Sequence, residues 1–213
     1  MQEKRYLKWY NKIGYGSGDI AGNVVYAFLT FFVMIYLTDT VGLNSGIVGT
    51  LMAVAKIFDG ISDVIFGALI DKTKTKMGKA RPWMLWPYLG CGVCLFAIFA
   101  IPTSWGLVAK YAFFLIFYVM LNAVFYTANN IAYSALTALI TKNENERVQL
   151  GSLRFVFAFT TSTIIQAVTF GLVEHFGNDA AAWRIVALVY VVIGIILQHD
   201  LCSVHEGTAR GRE

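Results

Sequence analysis

The stretch KIFDGISDVIFGALIDKTKTKMGKARPW, residues 56–83, decides the fold of this chain. Its first half is apolar enough to lie inside a membrane, yet it carries Lys56, Asp59 and Asp63. Its second half is a basic segment, with five cations and one carboxylate between residues 71 and 81. Charges within a membrane helix are costly and usually functional, so the stretch predicts a membrane protein with polar groups inside its bundle.

Composition supports a membrane protein. Of the 213 residues, 57% are hydrophobic and 14% are charged, with a mean hydropathy of +0.61. Soluble domains carry about a quarter charged residues, whereas a spanning helix needs about 20 mostly apolar ones. Several runs of that length are present. The basic residues lie in short loops rather than along one groove, which argues against a nucleic-acid partner.

Six apolar segments are predicted to span the membrane as helices, because only helices and closed barrels can do so and the alternation of a barrel is absent. They cover residues 13–37, 45–70, 84–101, 107–140, 150–173 and 183–198. We therefore expect an all-α membrane protein with one bundle of six transmembrane helices over 13–198. A cytoplasmic tail is expected over 1–12 and a disordered one over 199–213. The long fourth segment is expected to break or tilt near Asn129 and Asn130.

Lysine and arginine indicate the orientation of the bundle. Thirteen of the 17 cations fall on one side of the six segments and two on the other, with Lys56 and Arg154 inside. Cytoplasmic loops carry the excess of Lys and Arg. Both termini are therefore expected in the cytoplasm, with the protein in the plasma (inner) membrane.

Lys56, Asp59 and Asp63 are spaced by three and four residues, so they share one helix face. Neighbouring carboxylates repel, which favours a bound cation or a retained proton, and oxygen ligands suit a hard cation such as Na⁺. Lys56 would compensate the charge before a cation binds. The alternative is a structural charge network that holds helices together.

A second polar group lies on other segments. Asp19 and Asn23 share a face of the first, and Tyr126 and Asn130 share a face of the fourth. Carboxylates, amides and phenols suit a polyhydroxylated ligand, although an asparagine can equally serve helix packing. Arg154 either extends to the membrane surface or reaches into the cavity and pairs with an aspartate. No cofactor and no structural metal site are expected, and the cysteines of CGVC are interpreted as apolar core.

The string GALIDKTKTKMGKARPW, residues 67–83, resembles the loop signature of the major facilitator superfamily. The longer stretch beginning FDGISD is similar to the glycoside–pentoside–hexuronide:cation symporter family. So are IGYGSGDIAGNVVYAFLTFFVMIYLTDTVGL, NNIAYSAL and ERVQLGSLRF, which together span residues 13 to 155. The resemblance implies the amino-terminal half of a twelve-helix transporter. Such a transporter carries a sugar with Na⁺ or H⁺ by alternating access.

The resemblance also implies roles for single residues. The cation site would be Asp59 and Asp63, with contributions from Ser62 and Thr127. Positions implied in sugar recognition are Gly22, Asn23, Tyr126, Asn130, Ser134 and Arg154, to which Asp19 is added from its own place in the sequence. The loop expected to latch the cytoplasmic side contains Gly67, Asp71, Lys72, Gly78, Lys79 and Arg81.

Several of these positions depart from the family pattern. Melibiose-transporting members have Lys-Asp at residues 22–23, Asp at Asn130 and Trp at Ser134, and the family's usual proline is replaced by Ala132. The resemblance thus implies a retained cation site and an altered sugar site.

Family members place substrate between two six-helix halves. The expected partners are thus a sugar, membrane lipid and a missing carboxyl-terminal half or a second copy of the chain. We expect a truncated sequence rather than a half-size transporter that dimerises, since HEGTARGRE resembles a degraded connection between halves. The rival interpretation is a non-transporting membrane scaffold or sensor. No metal-ligand spacing or nucleophile motif indicates an enzyme.

The charge distribution predicts which loops are accessible from outside. In a background without native cysteines, Asn178→Cys should react with an impermeant maleimide on intact cells, and Lys76→Cys only after permeabilisation. The opposite labelling pattern would contradict the orientation.

Overall fold

The computed structural model describes residues 7–75, 81–141 and 143–210, without the side chains of 81, 136, 138–140 and 199–210. Within these ranges the chain is helical, with no strand. The helices are α1 (Trp9–Gly16), α2 (Gly18–Ile35), α3 (Ser45–Lys72), α4 (Arg81–Phe99), α5 (Leu107–Val119), α6 (Thr127–Ile140), α7 (Glu144–His175) and α8 (Ala180–Arg210). A π-helical turn, Tyr36–Thr40, continues α2, and a π-helical segment, Met120–Tyr126, joins α5 to α6.

These elements form six rods that match the six predicted segments. The first rod is α1, α2 and the π-helical turn, with Ser17 between the two α-helices. The fourth is α5, the π-helical segment and α6. The second and fourth rods begin at the predicted residues, Ser45 and Leu107.

The fourth rod departs from regular geometry earlier than predicted. The irregularity lies at Met120–Tyr126, and Asn129 and Asn130 sit within regular α6, so the predicted position was wrong. Asn122 donates its side-chain amide to the Tyr118 carbonyl at 2.9 Å. A side chain that donates to a backbone carbonyl one turn earlier competes with the regular helical hydrogen bond to that carbonyl. Where the regular bond is displaced, the turn widens locally into a π-helical one.

The last rod is longer than predicted. Helix α8 continues to Arg210, so most of the tail expected to be disordered from residue 199 is helical. Neither glycine nor proline occurs between Ile195 and Glu206. Once a helix is nucleated, nothing in that stretch stops its propagation.

Five of the helical stretches are long and apolar enough to cross a membrane. They are Trp9–Thr40, Pro82–Phe99, Leu107–Ala135, Glu144–His175 and Ala180–Gln198. Helix α3 is not among the five, although its 28 residues extend over about 40 Å, enough to span a bilayer. It is the helix that carries Lys56, Asp59 and Asp63.

Local sequence signals explain where several helices begin and end. Asn44 caps α3 by accepting from the amides of Gly46 and Ile47 at 2.9 and 3.2 Å. Gly177 ends α7 with a φ of 110°, a conformation that favours glycine. The following Asp179 then caps α8 by accepting from the Ala182 amide at 2.7 Å.

The core lies where α2, α4 and α8 meet. Phe28 of α2 stacks on Phe99 of α4 with ring centroids 4.4 Å apart, and Trp183 of α8 lies 6.0 Å from Phe99. Tyr88 of α4 donates its hydroxyl to the Ala21 carbonyl at 2.7 Å. A Cβ added at Gly194 of α8 would collide with the Tyr88 hydroxyl. Glycine at this position therefore allows the three helices to approach closely.

Substitution of this glycine should destabilise the bundle. Gly194→Leu should lower the free energy of unfolding by about 1–3 kcal/mol, because the new side chain must displace Tyr88. The measurement is the apparent Tm in detergent. Gly171→Leu is the matched control, since a Cβ there meets no atom within 4 Å of the described residues. Equal Tm values for the two variants would contradict this account of the packing.

Candidate functional site

Asp59 lies about halfway along α3 and so about 20 Å from either end of that helix. Lys56 donates to its Oδ2 at 2.9 Å, and the two side chains are 54% and 22% exposed. The other oxygen, Oδ1, is buried and has no hydrogen-bond partner among the described residues. Buried polar atoms are nearly always paired, so this oxygen is a candidate ligand atom.

A cavity of about 160 Å³ opens beside Asp59, between α2, α3, the π-helical segment and α6. Its lining is mostly polar: Tyr26, Lys56, Asp59, Asp63, Asn122, Tyr126, Thr127, Asn130 and Ile131. The structure thus brings Asp59, Asp63 and Thr127 together at one cavity. Ser62, which is half-buried, is not part of this lining. Its position follows from the helix, since Ser62 is turned by about 100° from Asp63.

Arg154 of α7 forms the second polar cluster, with Asp19 of α2. Its Nε and Nη2 atoms donate to the two carboxylate oxygens of Asp19 at 2.7 and 3.2 Å. The same guanidinium donates to Ser134 Oγ at 3.2 Å and to Asn130 Oδ1 at 3.4 Å. The two ion-paired side chains are only 20% and 13% exposed. Arg154 therefore points into the bundle rather than to the membrane surface.

The ring of Tyr133 of α6 packs against the guanidinium of Arg154. The guanidinium carbon lies 4.2 Å from the centre of its ring, a distance that permits a cation–π contact. Tyr133 and Tyr15 of α1 stack with centroids 4.8 Å apart, and each donates its hydroxyl to the other's backbone carbonyl. The cluster is therefore held to α1 as well as to α2, α6 and α7.

Tyr126 and Asn130 connect the two clusters. Both line the cavity beside Asp59, and both also line a smaller cavity next to Asp19. That second cavity has a volume of about 10 Å³, room for about one water molecule. A sugar therefore does not fit there in this conformation. Of the predicted sugar contacts, Asp19, Tyr126, Asn130 and Arg154 lie together. Asn23 instead donates its amide to the Asp19 carbonyl at 2.8 Å.

Tyr26 was missed by sequence reasoning. Its ring stacks on Tyr126 with centroids 4.6 Å apart and planes 15° from parallel, and it lines the cavity beside Asp59. The spacing contained the signal, because Asp19, Asn23 and Tyr26 follow each other at four and three residues along one face of α2.

A buried carboxylate near the basic end of the bundle was also missed. Glu146 accepts from the Leu7 amide at 3.0 Å and from Thr141 Oγ1 at 2.6 Å, and lies 3.8 Å from Lys12 Nζ. Its own amide donates to Asn143 Oδ1 at 3.0 Å. An asparagine followed three residues later by a glutamate is a helix-start signal, so the sequence did contain a clue.

The predicted latch loop is only partly described. Gly67, Asp71 and Lys72 lie in the last turns of α3, where both charged side chains are exposed. Gly78 and Lys79 fall outside the described residues, and Arg81 begins α4 with its side chain undescribed. The latch stays a prediction.

Comparison with known proteins gives a consistent set of relatives. The family model described as MFS/sugar transport protein matches residues 14–204. The chain is 32% identical to the isoprimeverose transporter of Lactiplantibacillus pentosus over 199 residues, which cover 91% of this chain and 41% of the relative. It is 35% identical to the inner membrane symporter YicJ of Escherichia coli over 168 residues, 79% of this chain and 36% of the relative. The chain thus spans about two fifths of the length of these curated relatives.

The ion pair between Asp19 and Arg154 should behave as a coupled unit. Asp19→Asn or Arg154→Gln alone should lower the apparent Tm in detergent, because each leaves one charge in the bundle without its partner. The double variant should recover part of that loss. The measurement is a double-mutant cycle, that is, Tm values for the parent chain, the two single variants and the double variant. A double variant whose decrease in Tm equals the sum of the two single decreases would contradict the coupling.

Proposed function

We propose that this chain, which belongs to the family of MFS/sugar transport proteins, is one six-helix half of a sugar:cation symporter. The observation that carries the proposal is the Asp59 Oδ1 atom, which is buried without a partner among the described residues while Asp59 lines a cavity in mid-bundle. A structural charge network would leave no such oxygen unpaired. A coupling ion or a proton would satisfy it.

The coupling cation would bind between Asp59, Asp63 and Thr127. These side chains offer carboxylate and hydroxyl oxygens, the ligands that a hard cation such as Na⁺ prefers. A proton held on one of the two carboxylates is the alternative coupling ion. Lys56 already neutralises Asp59 Oδ2 at 2.9 Å, so an incoming cation competes with the ammonium for that oxygen.

The sugar would bind at Asp19, Tyr126, Asn130 and Arg154. A sugar hydroxyl both donates and accepts, and this cluster offers carboxylate acceptors beside guanidinium donors. The names of several relatives support a sugar, among them the isoprimeverose transporter and a glucuronide carrier protein homologue of Escherichia coli. The 10 Å³ cavity has to widen for a sugar to enter, and alternating access supplies such a rearrangement.

Coupling between the two ligands would pass through Tyr126 and Asn130. Both residues line both cavities, so a ligand that repositions either side chain at one site alters the other site. By linkage, a cation that raises the affinity for sugar is itself bound more tightly when sugar is present.

A second six-helix half would complete the transporter. Helices α3 and α7 present strongly exposed apolar side chains, including Val64 at 75%, Phe155 at 79% and Phe159 at 78%. We infer that a carboxyl-terminal half, or a second copy of the chain, packs on these faces in a plasma (inner) membrane. The distribution of Lys and Arg supports a cytoplasmic location for both chain termini.

The ion site can be tested on the chain itself. Na⁺ at 100 times its dissociation constant should raise the unfolding free energy by about 2.7 kcal/mol, seen as a higher Tm than in choline. Asp59→Asn should abolish this shift, whereas Lys56→Ala should keep it, because the lysine cannot ligate a cation and competes with it for Asp59 Oδ2. A pH-dependent Tm without a Na⁺ effect would assign the proton instead. An Asp59→Asn variant that keeps the full ion response would contradict the site.

Transport itself is tested with a complementary six-helix half in membrane vesicles. We expect counterflow of at least one radiolabelled sugar among isoprimeverose, a glucuronide and sulfoquinovose, the last from the name of another relative, a putative sulfoquinovose importer of Escherichia coli. Arg154→Ala should weaken sugar binding more than cation binding, whereas Asp59→Asn should do the reverse. A non-transporting scaffold or sensor would give no counterflow with any sugar, even with both halves folded and associated.

A further inference from the structure

A groove of about 450 Å³ runs between α3 and α4, away from the two polar clusters. Its lining is mainly apolar: Phe66, Thr73, Thr75, Pro82, Trp83, Trp86, Pro87, Val124, Phe125 and Ala128. None of these residues lines the cavity beside Asp59 or the cavity beside Asp19. The function proposed above therefore leaves the groove unexplained.

Helix packing creates this groove. Helices α3 and α4 both pack on the π-helical segment and on α6, and α4 also packs closely on α8, but the two helices hardly contact each other, so a gap separates them. The floor of the gap is Phe125, which fits because Gly90 of α4 has no side chain to collide with its ring. At one end of the groove, hydrogen bonds link α4 to the end of α3. Trp83 Nε1 donates to Thr73 Oγ1 at 2.9 Å, and Thr73 donates to the Leu69 carbonyl at 2.8 Å.

The groove has two chemically different zones. One end of the groove lies beside the carboxyl-terminal end of α3 and is lined by Thr73 and Thr75. The neighbouring Lys72 and Lys74 are exposed, and Asp71 is the nearest carboxylate in sequence. Towards the middle of the membrane the lining becomes fully apolar, with Trp86 69% exposed and Val124 36% exposed. A cationic mouth above an apolar channel matches an amphipathic anion.

We propose that this groove binds one anionic glycerophospholipid from the leaflet on the basic side of the bundle. Its phosphate would lie against Lys72 and Lys74, and an acyl chain would lie along Trp86, Val124 and Phe125. Charge decides between lipids, because basic residues at a membrane surface attract anionic headgroups. Lipid also suits the position, since the groove lies between two helices of the bundle and Trp86 in its lining is 69% exposed.

The test is retention of lipid by the purified chain, measured by native mass spectrometry in detergent. The probes are dioleoylphosphatidylglycerol and the zwitterionic dioleoylphosphatidylcholine. Phosphatidylglycerol should bind about tenfold more tightly, from the attraction of the lysines at the mouth. Lys74→Gln should lower this preference about threefold and leave phosphatidylcholine unchanged. Val124→Trp, which fills the groove, should reduce binding of both lipids at least about fivefold.

Two variants at the opposite end of the bundle serve as matched controls. Arg184→Gln removes an exposed cation, and Trp105→Ala removes an exposed indole, and neither should change lipid retention. If Val124→Trp fails to fold, the surface variant Lys74→Gln still decides the question. Equal binding of the two lipids, or a preference unaffected by Lys74→Gln, overturns the proposal. So does a dimer of the chain that covers the groove and excludes added phosphatidylglycerol.

Discussion

A charge inside a membrane needs a partner close by, and this constraint accounts for the polar architecture of the bundle. Two ion pairs inside the bundle satisfy this constraint to different degrees. Arg154 and Asp19 satisfy each other through two hydrogen bonds, and Ser134 and Asn130 take further guanidinium donors. Asp59 is satisfied through one oxygen only. The first pair can join helices without any ligand, whereas the second leaves one oxygen for the cation or proton that we propose.

The two clusters are neighbours rather than separate sites. Tyr126 and Asn130 occupy the wall between them, and Tyr26 braces Tyr126 by stacking against it. Sites that share side chains cannot be occupied independently, because the wall has one geometry at a time. A symporter requires such dependence, whereas a structural charge network does not. The shared wall thus supports the same interpretation as the unpaired carboxylate oxygen.

Sequence reasoning succeeded where the pattern is local. Segment hydrophobicity predicted six rods, and the spacing of Lys56, Asp59 and Asp63 predicted a common face, which needs only the period of one helix. Sequence reasoning failed where a role depends on how a helix is rotated in the bundle or on contact between residues far apart in the chain. Arg154 and Asp19 are 135 residues apart, so the sequence left two alternatives for the arginine. Ser62 was assigned to the cation site by resemblance, yet the structure places it outside the lining. Tyr26 gains its role only through a neighbour on another rod.

The π-helical segment Met120–Tyr126 makes the length of the fourth rod as important as its composition. A wide turn of this kind corresponds to one extra residue in a helix. Because the wide turn absorbs that residue, deleting it would restore a regular helix and leave the residues beyond it on nearly the same face. A deletion in the regular helix α5 would instead rotate everything beyond it by about 100°. Thr127, Asn130 and Ser134 would then turn away from α3 and α7 together. The fourth rod therefore tolerates the loss of one residue within the π-helical segment, whereas a single-codon deletion in α5 would dismantle both polar clusters without altering one of their residues.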